Sequence, residues 1–544
     1  AGYVESEHPE FLVNKLYYDA YKKDMTAGTY PDVRSGLQKL LKDGLLLFNY
    51  TGHGGTTALS DEKVLTQTDI NQFTYTHLPV WVTATCDFTR FDDLNTSAGE
   101  DVFLNKSSGG IALFTTVRVA YSRPNFPIND NVIRNLFERN NGRRRTLGEV
   151  MQATKNTLSS VYKLGFCLIG DPAVKMAYPE FGMKVTTVNG QSVDGNSISF
   201  KALEKITVEG EVLDVSGQLV TDFTGIVNPT VKDSKVTVTC LKNSNKDDSP
   251  AFTFTDYPNT IFIGNDSVRN GKFSFTFTVP KDISYSNLQG KMNLYAVDTE
   301  SGNEAQGNFD NFIVGGTSDT AETDTIGPEI RALYLNDTTF VDGGQVNTTP
   351  YFVAELWDKS GVNITGSSVG HDMMLVIDES TVLSYNLNSY YELLPGEDGT
   401  GIVKFPIPAL EPGKNTAGFW VWDILNNSTV RTFTFEVVEG LKPFLFDVIA
   451  TPGIAREQVT FHLMHNRPES RMRVGIMVYD LAGRQLWKHE ESGTSGLFEN
   501  YTVSWDLTSG GVRMRPGVYI YRAAISTDNS KDATKARKFI ILGE

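Results

Sequence analysis

Near residue 183 the spacing of apolar residues changes period, and that change divides the chain into two kinds of fold. Before it, residues 11–23 and 33–42 carry apolar side chains at helical spacing, with Leu37, Leu40 and Leu41 on one face. Short continuous apolar runs at 45–50, 80–85 and 111–117 then alternate with helical patterns at 130–139 and 146–155. A continuous run marks a strand buried on both faces, and strands alternating with helices build a parallel α/β layer. Three such strands are fewer than a doubly wound sheet usually holds. Residues 1–182 are therefore expected to be the C-terminal half of an α/β domain whose other half lies upstream in the same precursor.

Beyond Met183 the period becomes two, at 197–200, 206–212, 235–241, 272–279 and 292–297. Asn189-Gly190, Asp194-Gly195 and Asn270-Gly271 punctuate these runs as hairpin turns do, which predicts β-sandwich architecture. A polar, small-residue stretch at 315–325 reads as a linker, and a turn at 440–443 opens a last β module. The fold class is thus multidomain, α/β followed by all-β, with about three Ig-like sandwiches at 183–318, 326–440 and 441–544. Two strands of the middle module, 353–358 and 418–423, end in related turns carrying Trp357-Asp358 and Trp422-Asp423.

A chain of 544 residues with 40% hydrophobic and 21% charged residues can bury several cores. Its 49 basic against 65 acidic residues give a net charge of −16, which repels a phosphate backbone. The basic run Arg143-Arg144-Arg145 has no interleaved aromatics and reads as a solvated loop or helix start, so no nucleic-acid partner is expected. No apolar run approaches the roughly 18 residues of a membrane span. Three cysteines, Cys86, Cys167 and Cys240, cannot build a disulfide framework, and none has CxxC spacing.

Two residues are placed to do chemistry. His53 follows the first apolar run in Gly52-His53-Gly54-Gly55, and Cys86 follows the second in Ala84-Thr85-Cys86-Asp87. Ligands and catalytic groups collect at the carboxyl ends of strands in an α/β sheet, so adjacent strands would deliver both to one crevice. A thiol near pKa 8.5 is only a few per cent thiolate at neutral pH, and an imidazole beside it raises its reactivity. The glycines after His53 let a backbone N–H approach a substrate carbonyl, which with the Cys86 N–H makes an oxyanion hole. Singly, a Gly-His-Gly turn and a strand cysteine are ordinary structure. Together, 33 positions apart at neighbouring strand ends, they outweigh that reading. Cys167, among apolar neighbours and without a histidine, reads as buried and inert, and Cys240 as strand packing. The remaining six histidines read as surface or packing residues. No metal or cofactor is expected. The acidic loop at 92–101 reads as a solvated loop beside the cleft, with a structural calcium ion on its oxygens as the alternative.

With these residues in place, 44–180 resembles the C-terminal half of the catalytic domain of the gingipain family, caspase-like cysteine peptidases. The likeness rests on the His53 and Cys86 motifs, on Ser107-Ser108-Gly109-Gly110-Ile111-Ala112 and on Leu168-Ile169-Gly170-Asp171-Pro172. It implies that His53 is the catalytic imidazole, Cys86 the nucleophile and Gly54 an oxyanion-hole donor, with an acidic partner of the histidine upstream of Ala1. The last module, through Val478-Tyr479-Asp480-Leu481-Ala482-Gly483-Arg484, Trp505-Asp506 and Pro516-Gly517-Val518-Tyr519, is similar to the C-terminal sorting domains of type IX secretion cargo. A peptidase half followed by β modules and a sorting-type end resembles the cell-surface sortases of that system. That likeness implies cargo bearing C-terminal sorting domains as substrate and an anionic lipopolysaccharide amine, or water, as acceptor. It also implies docking on the outer-membrane β-barrel PorV, at the surface of a Gram-negative bacterium. A secreted gingipain-type protease and a non-enzymatic adhesin are the rival readings. Asp87-Phe88-Thr89-Arg90 after the nucleophile leaves the side-chain preference of the substrate pocket open.

Overall fold

The structure, a computed structural model, describes residues 1–544 apart from 74, 76, 107, 141, 244–248, 320–323, 367–369, 395–398, 528–529, 543–544 and the side chains of Ser122 and Pro124. Ser107 and part of the expected linker therefore lie outside the described residues.

The N-terminal unit is built on a four-stranded sheet in the order β1 (Leu47–Thr51), β2 (Val80–Ala84), β3 (Ala112–Thr116) and β4 (Phe166–Ile169). β1, β2 and β3 are parallel, as their continuous apolar runs predict, and β4 returns antiparallel to β3. All five residues of β2 and of β3 are buried. Helices cover both faces. α1 (Gly2–Glu7), α5 (Ser122–Phe137) and α6 (Leu147–Thr157) belong to one side, where Ile128, Val132 and Leu136 meet Val82 and Phe114. α2 (Pro31–Asp43), α3 (Gln67–Gln72) and α4 (Ala98–Leu104) belong to the other, where Leu37 and Leu41 share a core with Trp81 and Leu113. Capping boxes at Thr66, Ser97 and Thr146 start α3, α4 and α6, each satisfying amides that the helix itself leaves unpaired.

Residues 11–23 are not the expected helix. Only Tyr18–Ala20 makes a 3-10 turn, because the second unit takes up the backbone groups that a helix would use internally. Lys291 Nζ donates to the Phe11 carbonyl at 3.3 Å, and Asn293 Nδ2 donates to the carbonyls of Pro9 and Glu10 at 3.1 and 3.0 Å. The Asp19 carboxylate accepts from the amides of Lys242 and Asn243, both at 2.8 Å. Tertiary hydrogen bonds here override a helical pattern.

From Phe181–Val188 onward the regular elements of the described residues are β-strands, apart from a 3-10 turn at Asn388–Tyr390. Among the described residues, a nine-stranded sheet and a three-stranded sheet enclose a core of Phe200, Val208, Phe275 and Leu294. A four-stranded and a five-stranded sheet then sandwich Phe352, Leu375 and Phe419, and a three-stranded and a five-stranded sheet sandwich Phe461, Val474 and Tyr521. Asn189-Gly190 and Asn270-Gly271 have positive φ at both residues (50° and 74°, 52° and 72°), the two-residue hairpin geometry that those pairs predict. The strand Phe312–Thr317 overruns the expected start of the linker at 315.

Gly109 fixes how α4 leads into β3. Its φ is +108°, a Cβ there would lie 1.9 Å from the Val102 carbonyl oxygen, and its own carbonyl accepts from Tyr75 Oη at 2.9 Å and Trp81 Nε1 at 3.3 Å. The Gly-Gly pair of the sequence motif is thus a packing requirement behind the site. Gly109→Ala is expected to destabilise the N-terminal unit by about 1–3 kcal/mol, seen as a lower urea midpoint at unchanged slope. An unchanged midpoint would show that the α4–β3 turn relaxes freely.

Candidate active site

The β1–β2 register decides where the two chemical residues stand. Thr51 pairs with Ala84, the last residue of each strand, so His53 and Cys86 each lie two residues past the same rung of the ladder. Both are thereby at the carboxyl edge of the sheet on adjacent strands, where the sequence motifs call for them. His53 is exposed and Cys86 half-buried.

Each is held by its own turn. After β1 the chain folds back as a wide antiparallel pair: Ser60 donates its amide to the His53 carbonyl at 2.8 Å and Gly55 its amide to the Ala58 carbonyl at 3.0 Å. Gly54, opposite Leu59, occupies the non-hydrogen-bonded position, so its N–H points away from that ladder and is free to meet a substrate. Tyr50 Oη also donates to the His53 carbonyl, at 2.6 Å. A Cβ on Gly54 would lie 2.5 Å from Thr85 Oγ1, so the absence of a side chain lets the histidine turn rest against the residue preceding the cysteine. After β2, Asp87 takes a left-handed φ of 48° and turns the chain sharply away from Cys86. The Asp87 amide donates to the Arg118 carbonyl at 3.3 Å and the Thr89 amide to the Thr116 carbonyl at 3.2 Å, which fastens the turn to the end of β3. Buried hydroxyls reinforce it: Thr83 bonds Thr115 at 2.7 Å, and Thr115 bonds Thr89 at 2.9 Å.

The Cys86 thiol lies against Ala120, whose amide donates to Sγ and whose carbonyl accepts from it, both at 3.3 Å. The His53 ring makes no hydrogen bond or ion pair with any described residue, Cys86 included. A catalytic hydrogen bond that is absent without substrate is compatible with one formed on binding.

The other candidates fall elsewhere. Cys167 lies on edge strand β4 opposite Thr115 and is half-buried, a correction to its reading as buried. Cys240 follows the strand Val236–Thr239 and is buried, and burial, with the Asp19 carboxylate second, pushes its thiol pKa up. In the loop at 92–101 the carboxylates have protein partners. Asp92 pairs with Arg118 at 2.6 Å, Asp101 accepts from Gln67 and Asn71 at 2.7 and 2.9 Å, and Glu100 caps Ser97 at 2.6 Å.

The described residues whose donors can gather around a hard cation lie in the third unit: one oxygen each of Asp324, Asp358 and Asp423 come within 4.8 Å of one another. Asp358 and Asp423 terminate the two related Trp-Asp strands, whose likeness was visible in sequence, whereas their convergence with Asp324 was not. Burial, ahead of the charges of Asp423 and Asp324, pushes the Asp358 carboxyl up to about 6, against two backbone amides, Ser360 and Gly361, that lower it. A folded-state value above the unfolded one means that the folded chain holds more protons between roughly pH 4 and 6. Stability without added divalent cations should therefore fall as pH rises through that window, by on the order of 2 kcal/mol, and Asp358→Asn should flatten the slope. Thermal unfolding of both proteins from pH 4 to 7 checks this; equal slopes would contradict it.

A mostly parallel α/β sheet with a half-buried thiol, an imidazole and an outward-facing glycine amide past adjacent strand ends holds the groups that thiol-dependent acyl transfer uses. Residues 1–177 match the model of peptidase family C25, and this part of the chain is similar to that family of cysteine peptidases. Among solved structures, the chain is similar to dimeric latent PorU from Porphyromonas gingivalis, with 34% identity over 95% of this chain and a TM-score of 0.34. It spans 47% of the length of that chain. It is also similar to the Arg-specific cysteine proteinase gingipain R, with 19% identity over 52% of this chain and 56% of the other and a TM-score of 0.25. The complex of the Porphyromonas gingivalis RgpB pro- and mature domains gives 19% identity, 52% and 57% coverage and the same TM-score. No curated protein matches the chain.

Proposed function

We propose that the chain is the catalytic and sorting-domain portion of a cell-surface sortase: it cleaves C-terminal signal domains from type IX secreted cargo and passes the acyl product to an anionic lipopolysaccharide amine or to water. The observation that supports this reading is the Thr51–Ala84 rung, two residues past which His53 and Cys86 each stand, in a region that matches the C25 peptidase model. His53 takes the Cys86 proton, Sγ attacks the scissile carbonyl, and the Gly54 and Cys86 amides donate to the oxyanion. The tetrahedral intermediate expels the signal domain's amine, protonated by His53, and leaves a thioester. An amine then competes with water for that thioester, the bond to sulfur breaks, and the thiol regains its proton. The β module at 441–544, similar in sequence to cargo sorting domains, supports docking on PorV and attachment at the outer-membrane surface without a span. No described helix is long and apolar enough to cross a membrane.

Cys86→Ala should lower cargo cleavage by at least about 10³-fold, and His53→Ala should impair both acylation and amine transfer, with cargo binding retained. Incubating cargo with the enzyme and a labelled primary amine separates the readings. Amine-capped product at the expense of free acid supports a transpeptidase, free acid alone a gingipain-type protease, and no Cys86-dependent product an inert adhesin.

We propose further that the upstream half of the precursor completes the sheet. Among the described residues β1 has one neighbour, β2, and its open edge borders a largely apolar cavity of about 870 Å³ lined by Leu46, Phe48, Tyr50, Leu37 and Phe11. An open strand edge flanked by apolar surface is an invitation to pair. The amides of Leu47–Thr51 that point away from β2 should exchange slowly in the complete precursor and quickly in the 544-residue chain; equal rates would refute the pairing.

A further inference from the structure

A second cavity, of about 260 Å³, opens beside the nucleophile, because the segment whose Ala120 touches Cys86 Sγ also forms its wall. Val119, Tyr121, Ile128, Val161 and Tyr162 give it an apolar body, and Val119, Tyr121 and Val161 are exposed at its rim. Its lining contains no carboxylate. Its one charged lining residue, Arg118, is engaged by Asp92 through two hydrogen bonds of 3.0 and 2.6 Å.

Asn125 also lines this cavity. It lies on α5, is only 7% exposed, and its side chain makes no hydrogen bond with any described residue; Oδ1 is buried without a partner. Most buried side-chain polar atoms are hydrogen-bonded in folded proteins, and Asn125 is the one among the described unpaired buried amides that lines this cavity, so a ligand group in the cavity can pair with it once the amide turns toward it. Whichever way the amide is turned, it offers one donor and one acceptor and no charge. Its complement is a neutral group of the same kind on an apolar stem.

We propose that Asn125 is a specificity-determining residue and that this cavity receives the substrate side chain on the acyl side of the scissile bond, selecting an uncharged amide or hydroxyl side chain such as Gln, Asn or Thr. This rests on Cys86 as nucleophile. Lysine and arginine are disfavoured because no carboxylate waits for them, and aspartate and glutamate because Arg118 is already neutralised.

The test uses the full-length protein and four peptidyl acyloxymethyl ketones that differ only in that residue: Gln, Leu, Arg and Glu. Sγ displaces the carboxylate leaving group and forms a thioether, so the labelling rate reads the fit of the pocket. The Gln probe is expected to label at least about tenfold faster than the Arg and Glu probes. Asn125→Leu should remove the advantage of Gln over Leu. Val161→Asp, a change on the exposed rim that spares the core, should raise the rate with Arg. Preference for Arg or Glu, or a Gln:Leu ratio unmoved by Asn125→Leu in a folded protein together with an Arg rate unmoved by Val161→Asp, would overturn the pocket assignment alone. Absence of Cys86-dependent labelling with every probe would overturn the peptidase reading, and the pocket with it.

Discussion

Everything chemical in this chain hangs on the close approach of Gly54 to Thr85. The parallel register brings the ends of β1 and β2 level, but level strand ends sit about 4.8 Å apart and their loops diverge unless something holds them. A residue without a Cβ lets the histidine turn press against the threonine before the nucleophile, where any side chain would strike Thr85 Oγ1. The same turn consumes the amides of Gly55 and Ser60 and leaves that of Gly54 outward. One glycine thus sets the separation of the two turns and, in the function proposed above, supplies an oxyanion donor.

The placement of His53 and Cys86 past adjacent strand ends was legible because its signals are local and its geometry follows from a two-residue offset. Short continuous apolar runs alternating with helical patterns point to parallel strands, fully buried at 80–84 and 112–116 but not at 47–51, and a residue just past each run is carried to the same edge whatever the loops do. Asn189-Gly190 and Asn270-Gly271 were legible for the same reason, since the turn type is written in the dipeptide. What escaped depends on distant partners. Residues 11–23 have helical spacing, but the carbonyls of Phe11, Asp19 and Tyr21 and the Asp19 carboxylate are claimed by Lys291, Leu241, Asn243 and Lys242, more than 200 positions away. Asn125 carries no sequence signal at all, because its interest lies in what it fails to touch. Cys167 looked buried from its apolar neighbours; the edge position of β4, which exposes one side of that strand, could not be read from them.

The units differ in how they are stabilised and how they are joined. Each sandwich core is mainly Phe, Val, Leu and Ile, joined by Met and Ala and, in the last two, by Tyr, and these side chains gain free energy in proportion to buried area and tolerate small shifts. The junctions are polar. Between the second and third units the buried Asp282 carboxylate meets His371 Nδ1 at 2.7 Å, Asn426 Nδ2 at 2.9 Å and Asn363 Nδ2 at 3.2 Å, with His371 tilted over Trp422. The acidic trio Asp324, Asp358 and Asp423 lies next to this contact, since Asn427 joins Asp423 to the Asp324 carbonyl.

Directional bonds at the junctions do something that apolar contact does not. A hydrophobic interface of modest size resists separation but leaves sliding inexpensive, whereas a buried carboxylate loses its desolvation compensation as soon as its donors move out of line. Asp282 gripping three donors of the third unit, and Asp19 gripping two amides of the second, therefore fix orientation more than they add stability. The Cys86 turn is fastened to β3, β3 to the helices that pack on it, and the segment before α2 to the second unit. The sheet edge that carries His53 and Cys86 is consequently held in a set direction relative to the β modules that follow it, which suits the proposed substrate, one presented by a folded domain rather than by a flexible peptide.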